Sequence, residues 1–165
     1  MLLKNTAKSA LIAFVMFAAN AAWAEGTSVA FGGLKADTTL PVEVNADSLV
    51  VNQKDGNAIF SGNVLVVQGE MRMTANEIRV EYSADGKGIN KLFATGKVLL
   101  VSATDAAEAD EAVYTIATGE VVLTGGVLLT QGKTAIAAER MVIDLVAGTG
   151  RMEGRVSTTF VPEGN

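Results

Sequence analysis

The sequence predicts an all-β protein, an open antiparallel jelly roll built from four 29-residue repeats. Three observations predict it. Apolar and polar residues alternate at period 2 through most of the chain, turn residues recur at fixed intervals, and two short markers return in register. Alternation at period 2 marks strands with one buried face. A repeat of about 30 residues marks a supersecondary unit that buries its apolar face by stacking on its neighbours.

The first 24 residues stand apart from this pattern. Lys4 and Lys8 precede an apolar run from Ala10 to Ala19, and Ala22-Trp23-Ala24 places small residues at −3 and −1 of a cleavage point before Glu25. That order describes a cleaved secretory signal peptide, and the apolar run is shorter than the ~20 residues that span a bilayer. A retained leader would instead make the chain a membrane-anchored protein. Residues 25–39 carry Gly26, Gly32, Gly33, Thr38 and Thr39 with little alternation, so they are expected to form a mobile lead-in. The β domain is expected over residues 40–162, with 163–165 as a tail.

Losing the leader removes two lysines and leaves 11 basic against 18 acidic residues, a net charge of −7. An acidic chain without a basic cluster is not a nucleic-acid binder, since phosphate contacts need Lys and Arg. There is no cysteine, so the fold rests on packing and strand pairing without the disulfides common in small secreted domains.

The first marker is Ala followed by Asp, Asn or Glu, at Ala46-Asp47, Ala75-Asn76, Ala109-Asp110 and Ala138-Glu139. The second is a glycine, at Gly62, Gly96, Gly125 and Gly154, with an apolar residue two before it and Val two after it. From the first marker to the glycine the spacing is 15, 20, 15 and 15; from each glycine to the next marker it is 14 three times. The one longer interval contains a five-residue insertion around Ser83–Gly88. Between markers, stretches such as Met71-Arg72-Met73-Thr74-Ala75 and Ile78-Arg79-Val80-Glu81-Tyr82 alternate cleanly. Turns fall at Asp55-Gly56, Gln68-Gly69, Asp85-Gly86, Ala103-Thr104, Thr118-Gly119, Gln131-Gly132 and Ala147-Gly148. Such pairs supply the positive φ of tight hairpins, which imply antiparallel pairing. Both markers lie midway between turns. Glycine within a strand recurs where the strand bends or bulges, so the markers are expected at a corner where each strand passes from one sheet to another.

Extending the alternation predicts an inward set: Val42, Val44, Leu49, Val51, Phe60, Val64, Val66, Met71, Met73, Ile78, Val80, Leu92, Val98, Leu100, Tyr114, Ile116, Leu123, Val127, Leu129, Ile136, Met141 and Ile143. Such a stripe is the ordinary sign of a filled core. Its slender Val, Leu, Ile and Met side chains, in a chain only 5% aromatic, also suit a slot for acyl chains, worth ~0.8 kcal/mol per buried methylene. Both readings stand on the pattern alone.

Catalysis finds little support. Without His or Cys, the common acid–base catalyst, thiol nucleophiles and most transition-metal sites are missing, and no cofactor motif appears. Asp47, Asp110 and Glu139 recur at equivalent positions, which reads as a corner device accepting backbone N–H bonds. The acidic run Asp105–Glu111 lacks the spacing of a calcium loop and reads as a solvated turn. The chain is therefore expected not to be an enzyme and to hold no metal.

The segments Ala46-Asp47-Ser48-Leu49, Phe60-Ser61-Gly62-Asn63-Val64-Leu65-Val66-Val67-Gln68-Gly69 and Met73-Thr74-Ala75-Asn76-Glu77-Ile78 resemble the OstA-like family. So do the opening Leu40-Pro41-Val42-Glu43-Val44-Asn45 and Val122-Leu123-Thr124-Gly125-Gly126-Val127, and the likeness runs from about Pro41 to Val161. The resemblance implies a twisted, incomplete β-jelly roll whose apolar groove carries lipopolysaccharide through the periplasm, shielding the acyl chains of lipid A. It implies head-to-tail self-association, and partners of the same fold at the inner membrane (anchored there) and at the outer membrane. It places Val42 and Val44 where lipid enters, and makes the strand around them and the last strand, Val156–Val161, the joining edges. Arg72, Lys91, Lys97, Arg140 and Arg151 are scattered basic candidates near the groove rim, without assigned contacts.

Overall fold

The computed structural model describes residues 27–30, 32–52 and 54–160. The expected leader, residues 1–24, and the tail, 163–165, lie outside them. Eleven strands and one 3-10 turn (Gly32–Leu34) follow one another: β1 Thr27–Ala30, β2 Glu43–Asn45, β3 Ser48–Asn52, β4 Asn57–Gln68, β5 Met71–Tyr82, β6 Ile89–Ser102, β7 Asp105–Thr115, β8 Glu120–Gln131, β9 Thr134–Asp144, β10 Thr149–Glu153 and β11 Ser157–Phe160. All pairing is antiparallel, in the order β1-β10-β9-β8-β7-β6-β5-β4-β2, with β11 also on β9 and β3 also on β4. This is the all-β antiparallel fold that the alternation and hairpin residues predict.

The long strands β4 to β9 each bend once and contribute to two half-sheets. In β4, Asn57–Ser61 pair with Glu77–Glu81 of β5, and Val64–Gln68 pair with Met71–Ala75. Corresponding breaks interrupt the register of β5 on β6, β6 on β7, β7 on β8 and β8 on β9. β2 and β3 are the two arms of one further bent strand, interrupted at Ala46-Asp47, and β10 and β11 those of another, interrupted at Gly154–Val156. One half-sheet thus ends at β3 and the other at β2, while β1 extends the half-sheet of β10.

The corner is built by the two markers. Gly62 and Asn63 of β4 stand against Asn76 alone, Gly96 and Lys97 of β6 against Asp110, and Gly125 and Gly126 of β8 against Glu139. Two residues opposing one is a β-bulge, which bends its strand and raises its twist. Both bulge residues have positive φ, for example +77° at Gly96 and 53° at Lys97. Each marker side chain also lies over the glycine of its own unit. A Cβ at Gly62, Gly96, Gly125 or Gly154 would sit 2.6–2.7 Å from the side chain of Asp47, Asn76, Asp110 or Glu139 respectively. The backbone N–H of Asp47 donates to Gly62 O (2.9 Å), and that of Glu139 to Gly154 O (3.0 Å). The marker carboxylates, expected to accept backbone N–H bonds, instead accept from side chains: Asp47 from Asn63 Nδ2 (2.8 Å) and Glu139 from Arg155.

Two expectations need correction. The acidic run at Asp105 is not a solvated turn but the first part of β7, with Asp105 itself buried. The segment 25–39, expected as a loose lead-in, contributes β1, paired along β10, and a turn whose Leu34 is fully buried in the core. Its little alternation is explained by what it does: residues 33–40 cross from one half-sheet to the other, so no single sheet face imposes period 2.

Candidate functional site

The two half-sheets face each other across an apolar trough, with the corner along one side and the hairpin tips along the other. Val64, Val66, Met71, Met73, Ile78, Val80, Leu92, Val98, Leu100, Tyr114, Leu123, Val127, Leu129, Ile136, Met141 and Ile143 are all buried there. Val42, Val44, Phe60 and Ile116 are partly buried against them. Sequence alternation missed Ala58, Ala94, Ala107, Ala112, Val121, Leu145 and Met152, also buried inward. The alanines stand on the same alternating pattern, but their small side chains weaken the apolar signal.

Leu49 and Val51 depart from the inward expectation. They are 52% and 58% exposed, although they pair with Phe60 and Ala58 and directly paired residues share a sheet face. Their direction is inward; their exposure arises because β3 is the terminal strand of its half-sheet, with no further strand beyond it among the described residues. At the other end β11 is exposed throughout, with Phe160 at 73%, and Val156 just before it is 41% exposed. The trough is therefore apolar at its β3 end, carries Thr158 beside Ile136 at its β11 end, and is bare of cover at both terminal strands. A surface cleft of about 640 Å³ at the hairpin tips near β3 is lined by Val51, Asn57, Tyr82 and their neighbours.

Polar groups line the tips of the second half-sheet. Gln68, Ser102 and Asp105 are buried, and pairing sets Ser102 beside Asp105 and Asp105 beside Gln131. Tyr114 Oη donates to Gln68 Oε1 at 2.6 Å, and Gln131 Nε2 donates to Asp105 Oδ2 at 2.7 Å. Burial pushes the Tyr114 phenol up to about 12, partly offset by its bond to Gln68. Ser102 Oγ has no partner among the described residues.

Residues 33–40 lie across this row. Gln68 Nε2 donates to the carbonyls of Thr38 (3.0 Å) and Leu40 (2.9 Å), and Ala36 N donates to Leu145 O (2.9 Å) on the opposite half-sheet. The segment folds on itself at Asp37, whose carboxylate accepts from the hydroxyl and N–H of Thr39 and is thereby held below the usual carboxylate range. The side of the trough opposite the corner is thus bridged by the chain's own N-terminal stretch.

Of the basic candidates, Arg140 and Arg151 both contact Glu153 at 2.6 Å. Their hydrogen bonds, that of Arg140 first, hold the Glu153 carboxyl below its ordinary range. Arg79, on the outer face, lies 3.9 Å over the ring of Phe93, a cation–π contact.

An antiparallel sheet folded at a glycine corner, with an apolar interior and bare terminal strands, defines an open β-trough protein. Residues 43–149 match the family described as LptA/(LptD N-terminal domain) LPS transport protein, and the chain belongs to that family. The OstA-like resemblance read from the marker segments is thereby shown. An uncharacterised protein of Rhizobium meliloti is 28% identical over 156 residues, covering 88% of this chain and 84% of that protein. The lipopolysaccharide export system protein LptH of Pseudomonas aeruginosa is 27% identical over 147 residues, 83% of each chain. The LPS-assembly protein LptD of Yersinia enterocolitica is 40% identical over 62 residues, which are 36% of this chain and only 8% of that protein. The crystal structure of LptH, described as the LptA-homologous periplasmic component of the lipopolysaccharide transport device, superposes with a TM-score of 0.68. It covers 77% of this chain and 99% of its own at 20% identity, a likeness of fold.

Proposed function

We propose that the protein is a periplasmic, non-enzymatic carrier of lipopolysaccharide that shields lipid A acyl chains in its trough and bridges inner- and outer-membrane partners of the same fold. The observation that carries this reading is the apolar row running across one half-sheet from buried Ile78 and Val80, through Phe60 and Ala58, to inward-directed but exposed Leu49 and Val51. A filled core would end in polar residues at its last strand; here it ends in aliphatic ones. Family membership supplies the ligand class, and the leader at residues 1–24, cleaved on export, supplies the compartment. The bare strands β2–β3 and β11 suit head-to-tail strand addition, a mode in which main-chain hydrogen bonds give affinity.

One observation favours a second reading, a β-repeat interaction module without ligand. The interior side chains of the trough are sealed in the free chain. Photo-crosslinking in cells separates the two. A crosslinker replacing Val44, Phe60 or Met73 is expected to capture lipopolysaccharide. Adducts confined to outer-face controls at Arg79 and Glu81 would remove the carrier reading.

A further inference from the structure

The stretch that closes the trough has the chemical form of the ligand proposed for it. Leu34 places an aliphatic side chain wholly within the core. A few residues on, the carbonyls of Thr38 and Leu40 both accept from the amide of Gln68, itself buried and fixed by Tyr114. An acyl chain with its ester or amide linkage presents the same two features, a hydrocarbon and a carbonyl at its polar end. Two strands from Gln68 in the tip row, with Met71 between them, lies the Ser102 hydroxyl, buried and unpartnered among the described residues. A donor of this kind is costly to leave unused.

The closure is also lightly held. Among the described residues, three hydrogen bonds to other segments and one fully buried apolar side chain secure residues 33–40, while Lys35, Asp37, Thr39 and Leu40 are exposed. Segments with few buried contacts are those that open locally without global unfolding.

We propose that residues Gly33–Leu40 are a built-in surrogate for the ligand. They occupy the slot and the Gln68 donor that an acyl chain and its linkage carbonyl take when the segment swings out. This rests on the carrier reading above. Gln68 is then a specificity-determining residue, selecting carbonyl-linked acyl chains over bare hydrocarbon, and Ser102 provides a second donor on the same row.

The chain has no cysteine, so a single engineered disulfide can lock the segment without mispairing. A Cβ at Gly33 would lie 2.7 Å from Asp105 Cγ, the position a cysteine sulfur at 105 would take, which suits a disulfide between Gly33→Cys and Asp105→Cys. Loading of the purified full chain with fluorophore-labelled lipopolysaccharide is followed with the lock oxidised and reduced. Loading at least tenfold slower when oxidised, restored by dithiothreitol, is expected. Equal rates in both states overturn the surrogate while leaving the carrier intact; failure of the reduced protein to load at all removes both. In the pair Gln68→Met with Tyr114→Phe, both partners of the buried bond are replaced together. Bound lipopolysaccharide is then expected to leave about fivefold faster, which corresponds to ~1 kcal/mol. Unchanged release from that variant overturns the role of Gln68.

Discussion

Asn76 lies over Gly96 so closely that any side chain there collides with it, and the backbone is left-handed as well. Gly96→Ala is therefore expected to destabilise by roughly 2–4 kcal/mol, combining about 1–2 for a Cβ at that φ with the clash. Urea denaturation of Gly96→Ala, Asn76→Ala and the double variant separates the parts. The double variant should regain the steric part and retain the backbone part. Tyr114 gives a second expectation. Its folded value, about 12, lies above the ordinary 10, so its contribution is complete below pH 10. It is lost as pH rises through about 12, because only the unfolded chain ionises in between. The loss is about 2–3 kcal/mol by linkage, and a stability–pH profile of Tyr114→Phe should lack it. At this scale the two markers were legible in the sequence, because a glycine and a short polar residue are the types a bent strand needs. That they touch each other was not legible, since residues 15 or 20 apart meet only once the register between neighbouring strands is set.

Strands were the most readable elements, because period 2 is imposed on every residue of a half-buried sheet and no long-range information is needed to see it. The exposure of Leu49 and Val51 was not readable, since alternation gives direction but not whether anything lies opposite. The segment 33–40 was missed for a related reason: Leu34 is one apolar residue among glycines, and only tertiary contacts with Gln68 and Leu145 give it a place. On β3, Leu49→Asp is expected to change folding stability by no more than about 0.5 kcal/mol, as for other exposed positions. If β3 is a joining edge, the same change should weaken self-association several-fold in sedimentation velocity. Unaltered association would place the joint elsewhere.

At the scale of the molecule, the family, the antiparallel architecture and the apolar interior all follow from the sequence pattern, whereas the closure of the interior follows from chain segments whose sequence carries no period. The same N-terminal stretch that reaches the trough begins as β1, paired with β10 from Thr27↔Met152 to Ala30↔Thr149. A second copy seeking that border meets a rival already tethered to it, whose high effective concentration sets a threshold for assembly. Removing residues through Ala30 should lower the protein concentration at which copies associate, read by light scattering across a dilution series. If copies join head to tail as proposed, β1 would act as a chain terminator, and filaments would lengthen only where incoming subunits are plentiful enough to displace four residues of the host.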